Sequence, residues 1–169
     1  MSDLQQKFDE LVKKQEELTR QFQTEARAIF KETFKLFFEK SPGVKAVIWT
    51  QYTPYFNDGE ECVFSVNDPT FTNATGDDVH EVNYGEYEGD NEGVWAAELY
   101  LLTGNTEWAR NIQASVEKAG GGVDTKACRQ LAEMIQSSTM EDLMKTMFGN
   151  HVKVIATEEG FSVDDYDHD

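Results

Sequence analysis

The chain has 169 residues, 39% of them apolar and 28% charged, with eleven Phe and a formal net charge of -17. That length suits one domain burying about two-thirds of the surface its unfolded chain exposes, and the apolar content places it among globular chains despite the charge. No apolar run approaches the roughly 20 residues that span a bilayer, and MSDLQQKFDE lacks the basic start and hydrophobic centre of a signal peptide, so a cytoplasmic location without a membrane partner is expected.

Ser2 and Gln5 make a capping box that opens a helix running to about Lys40, where Ser41, Pro42 and Gly43 stop it. Leu4, Phe8, Leu11, Leu18 and Phe22 follow a 4,3,7,4 spacing with Gln15 in the missing place, a heptad seam narrow enough for one partner helix. Beyond Ala26 the pattern widens to Ile29, Phe30, Phe34, Leu36, Phe37 and Phe38, a face suited to burial against a sheet. At about 1.5 Å per residue such a helix reaches ~60 Å, longer than a domain of this size is wide. Either it folds back, or residues 1–25 form a projecting coiled-coil-like helix that pairs with another chain, which predicts a homo-oligomer.

Residues 44–52 (VKAVIWTQY) read as a central strand and 61–67 (ECVFSVN) as its neighbour, joined by a long turn holding Asn57-Asp58-Gly59. Residues 68–93 are rich in Gly, Asp, Asn and Thr, an acidic excursion with one short β-prone run at Val79 to Tyr84. Helices follow over Val94 to about Leu102, Thr106 to Ala119, and Thr125 to Gln136 behind an Asp124 cap. A last one runs from Ser138, boxed with Glu141, to Gly149. Val152–Thr157 and Phe161–Asp165 close the chain as a hairpin, with 164–169 as an acidic tail. The expected fold is α+β in a single domain: a long N-terminal helix, an antiparallel sheet from two hairpins, and a helical insertion between them.

Charge is unevenly placed. Residues 46–109 contain thirteen Asp or Glu and residues 154–169 contain six, and neither segment has a Lys or Arg. Such a field repels nucleic acid and anionic lipid and attracts basic proteins in a salt-dependent way. Acidic loops that only confer solubility are the plain alternative.

Motifs point away from catalysis. His80, His151 and His168 stand beside no Ser or Cys nucleophile motif, and Cys62 and Cys128 form no Cys-x-x-Cys pair, so they read as reduced, partly buried thiols. Asp165, Asp167 and Asp169 around His168, and Asp77, Asp78 and Glu81 around His80, lack the spacing of a built metal site. The triple glycine at 120–122 follows a helix and ends it, with no phosphate-cradle sequence after it. No enzyme activity, cofactor or metal is therefore expected. Tyr52, Tyr55 and Phe56 flank Pro54, and read either as a satellite core or as apolar anchors within an acidic rim.

VIWTQYTPYFNDGEECVFSV and FGNHVKVIATEEGFSVDDYDHD resemble small acidic proteins of unassigned function from tailed bacteriophages. The resemblance implies an accessory protein acting in the host cytoplasm on host machinery or defence, as an inhibitor occupying a basic nucleic-acid-binding surface. The partner-binding residues expected are Tyr55, Phe56, Asp58, Glu60, Glu61, Asp77, Asp78, Glu86, Glu88, Asp90 and Glu92, with the helix seam for oligomerisation. The alternative is an oligomeric small-molecule binder that sequesters a nucleotide signal, with Arg110, Lys126 and Arg129 as phosphate donors.

Overall fold

Residues Asp3–Lys40 form one unbroken helix, α1, whose first turn is held by the Gln5 amide donating to Ser2 Oγ at 3.3 Å. The computed structural model describes residues 2–56, 58–82 and 93–168. The chain divides into two compact units, one up to Thr33 and one from Phe34 onward. Within residues 2–33 only Phe30 is buried. No Pro or Gly interrupts α1, so the expected kink has no residue to form at.

The second unit is an antiparallel sheet of six strands: β1 (Ala46–Tyr52), β2 (Ser65–Val66), β3 (Thr70–Thr72), β4 (Ala96–Glu98), β5 (Val152–Thr157) and β6 (Gly160–Asp165). Their order is β4-β3-β1-β5-β6, with β2 pairing β1 ahead of β3. β1 is central, as its sequence predicted, and alternation sends Val47, Trp49 and Gln51 to one face and Ala46, Ile48 and Thr50 to the other. On the first face Trp49 meets Phe34 and Phe148 with ring centroids 5.8 and 5.7 Å apart, and Phe161 packs against both Phe34 and Phe148 at 5.2 Å. The second face is a smaller cluster in which Ile48 and Ile155 are covered by Ala74, Val79 and Val82.

The helical insertion comprises α2 (Leu99–Thr103), α3 (Glu107–Lys118), α4 (Thr125–Gln136) and α5 (Glu141–Phe148). Asp124 caps α4 as expected, its Oδ1 accepting from the Ala127 amide at 3.1 Å. The expected box at Ser138 does not form. Ser137 Oγ accepts from the Thr139 amide instead, and a 3-10 turn over Ser138–Met140 precedes α5. Three other boundaries differ. The start of the β-prone run, Val79–Glu81, belongs to a 3-10 helix, Gly76–Glu81, which brings Val79 and Val82, three apart, to the sheet together, while residues 83 and 84 of the run lie outside the described residues. Val94–Leu102 is not one helix, since Ala96–Glu98 pair with Thr70–Thr72 before α2 begins. Finally, of the strand expected over 61–67, Ser65 and Val66 form β2, with the Asn67 amide adding one bond to Thr50 O at 2.9 Å.

The triple glycine does more than end α3. Gly43 donates its amide to Gly122 O at 2.9 Å, and a Cβ on Gly43 would lie 2.0 Å from Gly121 O. The turn after α1 is thus clasped to residues 121–124, with the Asp124 amide donating to the buried Ser41 Oγ at 2.9 Å.

Candidate docking surface

The end of the sheet where β1 finishes and β5 begins is built from polar residues that bond to one another and to the backbone. Gln51 is fully buried; its Nε2 donates to Met144 O and Gly149 O at 2.9 and 2.7 Å, and its Oε1 accepts from Trp49 Nε1 at 3.1 Å. Next to it Asn150 accepts from the Thr53 amide at 2.8 Å and donates to Thr53 Oγ1 at 3.0 Å. These bonds fix the start of the β1–β2 connection against the start of β5. His151 then adopts a left-handed φ of 56°, a sparsely populated conformation for a residue with a side chain.

That geometry aims the His151 ring at the chain's end. The Tyr166 amide donates to His151 O at 2.9 Å, continuing the β5–β6 ladder by one residue, and His151 Nδ1 lies 2.7 Å from His168 Nε2. Tyr55 stacks on both imidazoles, with centroids 4.8 and 4.5 Å away and planes within 9° and 8° of parallel. Tyr52 stacks on His168 at 3.7 Å. Two rings this close to one imidazole cannot share a face, so His168 is held between Tyr52 and Tyr55. A hydrogen bond between two imidazoles needs one nitrogen to donate. His168 Nδ1 is buried with no partner among the described residues, and an unpaired acceptor is tolerated better than an unpaired N–H. His168 Nε2–H donating to His151 Nδ1 is therefore the favoured tautomer.

This latch brings the acidic tail to the loop that carries the expected anchors. Tyr55 and Phe56 are 65% and 79% exposed, so the satellite-core reading fails for Phe56, while Tyr55 shows one face to the histidines and the rest to solvent. Asp58, Glu60 and Glu61 on the loop, and Asp165 and Asp167 at the tail, are exposed at the same end of the sheet. A second acidic group sits along β6. His80 Nδ1 lies 3.3 Å from Asp164 Oδ2, which ties the 3-10 helix and its exposed Asp77, Asp78 and Glu81 to this edge strand. Asp164 and Asp165 are consecutive and point to opposite faces of β6, so the two acidic groups meet there. Glu86, Glu88, Asp90 and Glu92 lie outside the described residues.

Cations do little to neutralise this surface. Lys7 pairs with Glu10 within α1, and the His80 contact with Asp164 is an ion pair only when the imidazole carries a proton. Lys153 is half-buried and donates to Val82 O at 3.2 Å; burial lowers its pKa, with Asp164 acting against that. Lys145 lies over the Phe64 ring at 5.7 Å.

Two concavities open elsewhere on the second unit. A cleft of about 350 Å³ between the 3-10 helix and the β5–β6 hairpin has Val79 and Ile155 as its floor and Lys45, His80, Glu158 and Glu159 at its rim. A smaller one of about 210 Å³ places Asp68 beside Glu98, where burial first and the Asp68 charge second raise the Glu98 carboxyl above its ordinary range. Arg110 is on α3 and donates to Asn105 O at 2.9 Å, while Lys126 and Arg129 are exposed on α4. Among the described residues no group of three or more His, Cys, Asp or Glu converges as a metal site, and no helix is long and apolar enough to cross a membrane.

Sequence reasoning missed the Tyr52–His151–Tyr55–His168 stack. The available signal was Tyr166 and His168 two apart beyond β6, which continues one face of the strand past its last expected residue. Comparison with protein-family models, with curated proteins and with solved structures returns no match.

Proposed function

We propose that this protein is a non-enzymatic binding protein that docks on a basic surface of another protein through the β1–β2 loop and the tail latched beside it. The observation carrying the reading is Phe56, 79% exposed amid Asp58, Glu60 and Glu61, none of which has an ion-pair partner among the described residues. An exposed apolar ring followed in the same loop by exposed carboxylates has the make-up of an interface anchor, with the charges steering the encounter. In the setting that the phage resemblance implies, the partner is a host nucleic-acid-binding or defence protein, and occupying its basic groove inhibits it. The site is acidic, so nucleic acid itself is not the ligand.

The test is affinity capture from a bacterial lysate at low and high salt, with the native protein and with the Asp58→Asn/Glu60→Gln/Glu61→Gln variant side by side. A basic protein retained at low salt, released by added salt and absent from the variant's eluate is expected. A partner bound equally by both, whatever the salt, overturns the reading.

A further inference from the structure

The first unit offers an interaction surface of a different kind. Leu4, Phe8, Leu11, Leu18, Phe22 and Ile29 are between 49% and 80% exposed, and with residues 15 and 25 they occupy every place of one heptad seam from 4 to 29. Burying these side chains removes several hundred Å² of apolar surface per copy, and about 1,000 Å² when two copies meet, the scale of a specific interface.

The two polar seam residues decide how the copies meet. In a parallel in-register pair Glu25 faces Glu25 of the second copy, and the flanking residues Gln21, Ala26 and Ala28 provide no cation. That layer holds two carboxylates against each other in an apolar setting, which is costly. In an antiparallel pair whose facing positions sum to 33, Leu4 meets Ile29, Leu11 meets Phe22 and Gln15 meets Leu18. Phe8 then meets Glu25, and Lys7, one residue before Phe8, flanks the same layer on the side where the Glu25 carboxylate emerges. The seam is thus self-complementary under a two-fold axis, with each carboxylate matched by a lysine of the second copy.

We propose that two copies of this chain pair through α1 as an antiparallel helical dimer, with Leu11 packed on Phe22 and Lys7 beside Glu25 across the axis. The proposal does not depend on the docking surface of the second unit.

The full-length protein tests it in two ways. By sedimentation equilibrium, Glu25→Lys and Lys7→Glu are each expected to weaken self-association by about tenfold, and the double swap to restore it, with circular dichroism unchanged throughout. In a Cys62→Ser background, the Leu11→Cys/Phe22→Cys variant is expected to oxidise to a covalent dimer in which peptide mapping links position 11 to position 22. Links of 11 to 11 and 22 to 22 mean parallel pairing and overturn the proposal. So does a native protein that is monomeric at every concentration, or a charge swap that fails to restore association, which would assign the seam to a different partner.

Discussion

Two titratable residues show most directly what burial does in this fold. Cys128 is fully buried on α4, and burial, with the Asp124 charge behind it and Ser41 acting against both, pushes its thiol up to about 12. The folded state keeps a proton that an unfolded cysteine gives up at about 8.5. The stability held by the neutral thiol is therefore intact below that value and is lost as pH climbs toward about 12. A thiol titration of the native protein should consume one equivalent of reagent, at the half-buried Cys62, and a second only after denaturant is added. Two fast equivalents would mean that α4 opens readily. Glu98 is the acidic counterpart. A carboxyl raised by folding adds stability below its unfolded pKa and forfeits it as pH rises through the folded value, so at neutral pH the ionised group opposes folding. Glu98→Gln should match or exceed the native protein by a fraction of a kcal/mol at neutral pH, and lose that advantage below about pH 4. Urea unfolding at both pH values gives the comparison, and a clear loss of stability at neutral pH would assign Glu98 a structural bond. The thiol's burial was legible from the sequence; the Asp68–Glu98 juxtaposition was not, because the two are 30 positions apart and meet only through the β3–β4 pairing.

Elements announced themselves in the sequence where they satisfy their own backbone or alternate long enough to show a period. α1 has a cap and a stop, α4 has Asp124, and β1, β5 and β6 are six or seven residues each. β3 and β4 are three residues each, too short for an alternating pattern, and exist because β1 offers an edge to pair with. The 3-10 helix contains residues of good β propensity, and tertiary burial of Val79 and Val82 overrides that preference. The latch could not be read for a related reason: His151 and His168 are 17 apart and meet only because a hairpin folds between them. Removing His168 should therefore free the tail without unfolding the sheet. His168→Ala loses one hydrogen bond and the stacking on Tyr52, Tyr55 and Tyr166, about 1–2 kcal/mol of local docking energy. The Tyr166 amide should then exchange with solvent roughly tenfold faster, while the global unfolding midpoint moves little. An unchanged rate at Tyr166 would show that the β6 ladder alone holds the tail.

At the scale of the molecule the charge map was legible as composition, and the structure adds where it gathers. The lysine-free, arginine-free segments are far apart in sequence, yet the β5–β6 hairpin places the second beside the loop of the first. That meeting was not legible beforehand, because it depends on β5 pairing with β1 across the whole helical insertion. If the meeting serves docking, its two ingredients act on different rate constants. Exposed carboxylates at the rim speed encounter with a basic partner over distances up to a Debye length, about 8 Å at physiological salt, and contribute little once the complex is dry. Phe56 does the reverse: a ring 79% exposed in the free protein adds nothing to long-range attraction and is buried only in the complex. Against the partner recovered by capture, Asp58→Asn/Glu60→Gln/Glu61→Gln should lower the association rate about tenfold at low salt and converge with the native protein at high salt, with dissociation nearly unchanged. Phe56→Ala should leave association alone and speed dissociation by about tenfold or more, at every salt concentration. Surface plasmon resonance across a salt series separates the two constants. Phe56→Ala slowing association, or the neutralised loop dissociating faster with no change in encounter, would mean that charge and ring do not divide the work as rim and anchor.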